Sequence, residues 1–432
     1  MPVENGLGSR RAALAILEQV RAGRPFDAAL DQALEPLSDP DRRLAHELAA
    51  GVLRQRNGLD ERLGPLAARG WSAVPPTLQN ILRLGAYQLT ALDRVPPHAA
   101  VSTSVELARE AGGARAGGFV NALLRRLGRQ APRKRKGTGP LDLAARHSHP
   151  EWLVRRWLDR FGPDDTDRLL RWNNARPALV LQPARATSEA ISRRLAAAGI
   201  RTTPAPWGAG VTVAASRPDR LPGYADGDFV VQDPAQSLIA WFAGVPPAGL
   251  AYDACAAPGG KSIGLARTGV RVLAADLSRP RVARLKENLR RAGGGRELIM
   301  VADARHPPLA ETDVVLLDVP CLGTGTFARH PDARWRVTPD ALVALVERQT
   351  ELLAAVAEAV RPGGWLVYAT CSLEPEENEL QIERFLRTHA GFRRDPPDDL
   401  PPPLLTDKGD LMTLPQRDRM DGAYAARLRR AG

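Results

Sequence analysis

Cysteine is scarce: the 432 residues hold three, Cys255, Cys321 and Cys371. They lie far apart, are odd in number and include no C-x-x-C spacing. This argues against a disulfide framework and a zinc site, so no metal is expected, and it fits a reducing cytoplasm. The N-terminal Met1-Pro-Val-Glu-Asn5 lacks an apolar signal core, and no run of about 18 apolar residues occurs, so neither export nor membrane insertion is indicated. A complete phosphate-binding loop is missing too. Gly260-Lys261-Ser262 resembles the tail of one, but Cys255 occupies the place of its first glycine, which counts against a nucleoside triphosphatase. Internal repeats are absent. Acidic residues are outnumbered, 49 Asp plus Glu against 60 Lys plus Arg, and the resulting +11 favours a polyanionic partner. A basic balance also occurs in proteins that never meet nucleic acid.

With 44% apolar residues the chain is expected to be globular, with length for two to four domains. From about Gly8 to Gln130, apolar positions such as Leu14, Leu17 and Val20, then Leu44, Leu48 and Val52, recur every three or four residues, predicting an all-α unit. Ser38-Asp39-Pro40 reads as a helix start, and Val95-Pro96-Pro97 separates two later helices. A cationic linker, Arg133-Lys-Arg-Lys136, follows among prolines and glycines. Residues 141–228 read as a small α+β domain, with a helix at Trp152–Phe161, a strand at Leu179–Gln182 and a helix at Ser188–Ala198. From 229 to 432 short apolar runs alternate with helical segments, predicting βαβ units and a parallel sheet. The candidate strands are Leu250–Asp253, Arg271–Asp276, Leu298–Val301, Asp313–Asp318 and Trp365–Thr370. Leu411–Pro415 and Gly422–Leu428 read as an antiparallel hairpin at one edge. The fold class expected is therefore multidomain: an all-α domain (1–140, linker included), a small α+β domain and an α/β Rossmann-like domain.

Ligands of such sheets bind beyond the carboxyl ends of the strands, where Asp253, Asp276, Asp303, Asp318 and Cys371 would gather. Asp253-Ala-Cys-Ala-Ala-Pro-Gly-Gly-Lys-Ser262 reads as a strand-to-helix turn that cradles a nucleoside-type cofactor. Gly259 and Gly260 permit close ligand approach, and Asp276 ends the next apolar run, where an acid meets ribose hydroxyls. An ordinary turn of an α/β sheet is the plainer alternative. Cys321 lies three residues past Asp318, and Cys371 ends another strand. A lone cysteine is usually a small buried hydrophobe, but two thiols at strand ends beside a carboxylate and a cofactor turn favour chemistry. A cation such as Lys261 nearby would favour the reactive thiolate. Cys255, inside the tight turn, is assigned to packing.

The motifs Asp253-Ala-Cys-Ala-Ala-Pro-Gly-Gly-Lys261, Leu317-Asp-Val-Pro-Cys-Leu-Gly-Thr-Gly325, Arg329-His-Pro-Asp-Ala-Arg-Trp335 and Tyr368-Ala-Thr-Cys-Ser-Leu-Glu-Pro-Glu-Glu-Asn378 together resemble the RNA cytosine-C5 methyltransferases that use S-adenosyl-L-methionine. Leu82-Arg-Leu-Gly-Ala-Tyr-Gln88, Asp93-Arg-Val-Pro-Pro-His-Ala-Ala-Val101 and Val120-Asn-Ala-Leu-Leu-Arg125 are similar to a NusB-like helical domain. The combination implies 16S ribosomal RNA as substrate. It also implies cofactor binding by Cys255, Ala256, Ala257, Pro258, Gly259, Gly260 and Lys261 with Asp276, Asp303 and Asp318. Cys371 is the implied nucleophile and Cys321 the implied aid to release, with Asp318 and Lys261 in the catalytic set. The closing motif departs from the family in carrying Ala423 before Tyr424, where two aromatics are usual. A monomer is expected.

The chemistry agrees with these roles. Cytosine C5 is a poor nucleophile; a thiolate added at C6 makes it enamine-like and able to take a methyl group, and loss of the C5 proton then expels the cysteine. The target base must be unpaired or turned out of a helix. Three alternatives remain at this level. A DNA cytosine methyltransferase shares the chemistry but carries its nucleophile in a Pro-Cys motif. A methyltransferase of this kind could act on another RNA. A non-catalytic RNA-binding assembly or antitermination factor would need only the helical domain.

Overall fold

The computed structural model describes residues 4–130, 137–214, 217–246, 249–295 and 297–432, so the cationic linker Arg133–Lys136 lies outside the described residues. The chain divides into two compact units, Met1–Arg176 with Phe327–Arg336, and Pro177–Thr326 with Val337–Gly432. Among the described residues no helix is long and apolar enough to cross a membrane.

The first unit is helical. Its helices run Glu4–Arg21, Phe26–Leu34, Asp39–Leu63, Pro76–Ala91, Pro97–Gly128, Pro140–His147 and Glu151–Asn174. Proline opens several of them, where its missing N–H costs nothing, and Ser38 caps the third by accepting the Asp41 N–H. Their apolar stripes meet in a core around Ile16, Leu48, Leu63, Ile81 and Leu124. The residues expected to open the α+β domain, 141–176, pack with this helical unit. The helix anticipated at Trp152–Phe161 runs on to Asn174 across a break at Gly162, whose φ is +76°.

The family-like motif at 329–335 also folds within this first unit. Arg334 is fully buried, donating to Asn174 Oδ1 (2.7 Å) and to the carbonyls of Asn173 (2.7 Å) and Phe327 (3.2 Å). Burial, with the charge of Arg54, pulls its pKa down to about 9. Trp335 Nε1 donates to the Leu53 carbonyl at 2.8 Å, and Asp332 accepts the Phe26 N–H at 3.2 Å. These bonds pair groups that could not otherwise be buried.

The second unit holds two sheets. The smaller comprises β1 (Leu179–Pro183), β2 (Thr202–Pro204), β3 (Val211–Val213) and β4 (Phe229–Val231), in the order β2-β3-β1-β4 and antiparallel throughout. Phe229–Val231, expected to begin the α/β domain, thus completes the small sheet. The larger sheet contains β5 (Leu250–Asp253), β6 (Arg271–Asp276), β7 (Glu297–Val301), β8 (Thr312–Asp318), β9 (Val360–Thr370), β10 (Phe392–Arg394), β11 (Leu411–Thr413) and β12 (Ala423–Arg430). Its order is β10-β12-β9-β8-β5-β6-β7, with β11 paired to β12. Strands β5 to β9 are parallel; the inner strands β5, β6, β8 and β9 are largely buried, as their apolar runs demand, while the edge strand β7 exposes Leu298, Met300 and Val301. The closing hairpin is antiparallel. The chain leaves β5 for β6 and β7 on one side, then returns to β8 and β9 on the other. The strand order therefore reverses between β5 and β8, where doubly wound sheets open a crevice at their carboxyl ends.

Candidate active site

Strand register alone gathers most of the expected residues at that crevice. Asp253 ends β5, Asp276 ends β6 and Asp318 ends β8. Asp318 pairs with Ala369 of β9, so Cys371, one residue past that strand, comes level with the turn that carries Cys321. The two sulfurs stand 3.4 Å apart.

The turns carrying the thiols lock together through backbone. Gly325 N–H donates to the Cys371 carbonyl at 3.0 Å, and Gly422 N–H to the Gly325 carbonyl at 2.9 Å. A Cβ on Gly325 would fall 2.6 Å from the Gly422 carbonyl and 2.9 Å from that of Cys371, so only glycine permits this crossing. Beside it, Thr324 Oγ1 accepts the Leu373 N–H (2.8 Å), and Asn378 joins the Thr370 hydroxyl (2.6 Å) to the Ser372 carbonyl (2.9 Å).

Lys261, in the first turn of the helix Gly260–Ala266, donates to Asp318 Oδ2 at 2.7 Å and to Gln236 Oε1 at 2.5 Å. Burial lowers the pKa of this ammonium, but the Asp318 charge and hydrogen bond, with Cys371 and Asp253, outweigh it and leave the pKa above its usual value. The cation therefore persists where negative charge is concentrated. Cys321 is held neutral instead: its hydrogen bond to Cys371 raises its pKa well above the ordinary thiol range, with burial, the Cys371 charge and Glu377 adding to the effect. Burial pushes the Cys255 thiol up to about 12, in keeping with a packing role.

Glu377, Gln349 and Tyr368 are chemistry-bearing neighbours that sequence reasoning passed over. Glu377 is fully buried; its Oε1 accepts from Leu322 N–H (3.0 Å) and from Gln349 Nε2 (2.9 Å). Gln349 Nε2 also reaches the Pro320 carbonyl at 3.0 Å, so the residues on both sides of Cys321 are bracketed. Tyr368 donates its hydroxyl to the Glu377 carbonyl at 2.7 Å. A signal existed for Gln349, since Leu342, Gln349 and Val356 share one heptad-spaced stripe of a helix whose other buried positions are apolar.

The turn Asp253–Ser262, expected to cradle a nucleoside-type cofactor, needs its glycines for its own close packing. Gly259 has φ +109°, and a Cβ there would meet Leu285 Cδ1 at 2.8 Å. Asp253 is fully buried, accepts from Ser262 Oγ at 2.6 Å, and has its pKa pushed up to about 7 by burial. Its Oδ1 has no hydrogen-bond partner. Asp276 is 3% exposed and accepts the Ser278 N–H. Arg281 Nη2 stands 3.2 Å from its Oδ2 without hydrogen-bonding geometry, so that oxygen keeps its acceptor capacity. Two buried carboxylate oxygens without donors beside a glycine cradle suit a ligand rich in hydroxyls and N–H groups. Asp303 lies two residues past β7, and Arg305 binds both its oxygens; those bonds hold its pKa at about 2. Ala423 is buried at the start of β12, where a larger side chain is usual in the motif.

Comparison with known proteins covers the whole chain. A family model described as 16S rRNA methyltransferase RsmB/F matches residues 247–429, the NusB family model matches 8–129, and a RsmF/B-like ferredoxin-like domain matches 149–218. The last match starts ahead of the division between the two compact units. The probable ribosomal RNA small subunit methyltransferase B of Synechocystis sp. is 36% identical over 98% of this chain and 100% of its own length. Ribosomal RNA small subunit methyltransferase B of Vibrio cholerae is 34% identical, covering 96% and 95%. Among solved structures, the crystal structure of PH0851 aligns over 96% of this chain and 98% of its own with TM-score 0.83 and 25% identity. NSun6 from Pyrococcus horikoshii with SFG aligns over 66% and 98% with TM-score 0.59; at 18% identity this likeness shows the fold alone.

Proposed function

We propose a covalent mechanism for this chain, which belongs to the RsmB family of 16S ribosomal RNA methyltransferases and is an RNA methyltransferase. The reaction is methylation of C5 of one cytosine in 16S rRNA through an adduct between Cys371 and C6. The observation that carries this reading is the pair of thiols 3.4 Å apart, at strand ends beside a partly buried Lys261–Asp318 ion pair.

Cys255 to Lys261, with Asp276, Asp303 and Asp318, would hold S-adenosyl-L-methionine. The donor-free oxygens of Asp253 and Asp276 fit its hydroxyl and amine groups. When bound it supplies an electrophilic methyl group. This chain's residues do the rest. The Cys371 thiolate adds to C6 of the flipped cytosine, forming a C–S bond and moving electron density to C5. Lys261 would sustain negative charge at this end of the sheet, and Asp318 would hold the exocyclic side of the base. After methylation a base must take the C5 proton; the C5–C6 double bond then re-forms and the C–S bond breaks, returning Cys371 as thiolate.

The coupling of the thiols orders these steps. While Cys371 is free, its hydrogen bond and charge keep Cys321 protonated. Once Cys371 is a thioether its charge is gone and Cys321 can no longer donate to a thiolate, so the pKa of Cys321 falls. That change moves Cys321 toward the thiolate that must take the C5 proton, while burial and the Glu377 charge continue to oppose it. The helical domain and the small sheet would contact surrounding RNA through phosphates and 2′-hydroxyls. Bisulfite sequencing of 16S rRNA from cells lacking this protein tests the proposal. One cytosine should lose its 5-methyl mark and regain it on complementation with the wild type but not with Cys371→Ala. An unchanged methylation map would refute it.

A further inference from the structure

Behind the cofactor turn, within the second unit, lies a cavity of about 430 Å³ that the reaction does not use. Gln182 and Pro183 of the small sheet, the loop Trp207–Gly210, and the helices Pro234–Phe242 and Gly260–Ala266 line it. Two indoles face it, Trp207 and Trp241, and both are exposed, at 39% and 41%. Trp207 has φ +58° and ψ +20°, left-handed backbone that a bulky side chain rarely adopts. The Trp241 ring is fixed by a 2.8 Å hydrogen bond from Nε1 to Asp399, which satisfies its polar edge and leaves the ring's surface to the cavity. Among the described lining residues the one charged side chain is a cation, Arg267, anchored on the Pro183 carbonyl at 3.0 Å. The remaining polar groups are amides and hydroxyls, from Gln182, Gln232, Ser188, Ser237 and Thr268.

We propose that this cavity is a stacking site for an unpaired base of the substrate RNA, with Trp207 and Trp241 as the platform and Arg267 toward the phosphate. Every base has a π-face, so indoles suit single-stranded RNA, and a lining whose one charged residue among those described is Arg267 suits its polyanionic backbone, the neighbouring Asp399 being engaged by Trp241 Nε1. Gly260 belongs both to the cavity wall and to the cofactor turn, so a strand seated here runs alongside the catalytic crevice. The proposal rests on the chain's being an RNA methyltransferase and not on the covalent mechanism.

Steady-state methylation of a 16S rRNA transcript tests it with Trp207→Ala, Trp241→Ala and Trp207→Phe, alongside calorimetric titration with S-adenosyl-L-methionine. Each alanine variant should raise KM for the transcript about tenfold, the loss expected for one stacked base, with kcat and cofactor affinity near the wild-type values. Trp207→Phe should recover most of the KM. The phenylalanine variant and Trp241→Ala keep the test open if Trp207→Ala does not fold. Unchanged KM in folded alanine variants would overturn the proposal. So would a rise in KM confined to assembled subunit particles, which would assign the cavity to a protein partner. Failure of the covalent mechanism would show instead as a missing adduct, with KM unaffected.

Discussion

Removing the Glu377 bracket should separate two effects that the structure combines. In Glu377→Ala the Leu322 N–H and the Gln349 amide both lose the buried acceptor they share. Leaving a buried donor unpaired costs about 1–3 kcal/mol, so the variant should lose about 2–6 kcal/mol, concentrated at the turn that carries Cys321. Glu377→Gln differs. Both short bonds go to Oε1, which an amide oxygen can replace, so its stability should stay within about 1 kcal/mol of the wild type. What it loses is the charge that helps to raise the Cys321 pKa. Without it that pKa falls, and a larger fraction of Cys321 is thiolate at any given pH. Adduct release should therefore accelerate, and its pH dependence should move to lower pH. Urea unfolding checks the first effect, and single-turnover methylation quenched into denaturant at pH 7.5 to 9 checks the second. A Glu377→Ala variant as stable as the wild type would refute the bracket. A release profile in Glu377→Gln that stays put or moves to higher pH would refute the electrostatic link.

Asp276→Ala should weaken S-adenosyl-L-methionine binding by about 1–3 kcal/mol, the loss of a charge-assisted bond to ribose hydroxyls; calorimetry on the folded variant would place the ribose elsewhere if the dissociation constant did not change. Asp253 has a folded pKa of about 7 against an ordinary carboxyl value of about 4, so the folded state holds its proton more tightly than the unfolded chain. Its contribution to stability is complete below about pH 4 and is lost as pH rises through about 7. Asp253→Asn removes that loss, so its stability relative to the wild type should improve from pH 4 to 7 and level off above; urea midpoints that run parallel across this range would contradict the assignment.

The larger sheet was legible because each parallel strand is a short apolar run ending in a turn, and because acids at those ends could be counted. Asp253, Asp276 and Asp318 fell where expected for that reason, and the closing hairpin was expected from the two short apolar runs that end the chain. Segments whose partner is not written in their own pattern were harder. Phe229–Val231 is apolar enough for a strand, but three residues do not say which sheet receives them. The helix Glu151–Asn174 buries Leu153, Trp157 and Leu169, and such a stripe does not name the surface it covers. Arg334 could not be read as core because its buried guanidinium depends on Asn173 and Asn174, brought from a distant part of the chain. Glu377 escaped for the same reason, since its role rests on the Leu322 N–H, 55 residues away. The 3.4 Å approach of the two thiols follows from the β8–β9 register and the Gly325–Gly422 crossing, which sequence spacing does not encode.

The assignment of Cys371 as nucleophile and Cys321 as the base for release is tested most directly by the fate of the enzyme–RNA adduct. Cys321→Ala leaves addition and methyl transfer in place but removes the group that takes the C5 proton, so an RNA-linked protein band should accumulate and survive denaturing electrophoresis. Its cross-linked peptide should map to Cys371. Cys371→Ala should abolish methylation while binding S-adenosyl-L-methionine as the wild type does, and the double variant should form no band. A stable adduct from Cys371→Ala, with none from Cys321→Ala, would reverse the two roles and contradict the mechanism.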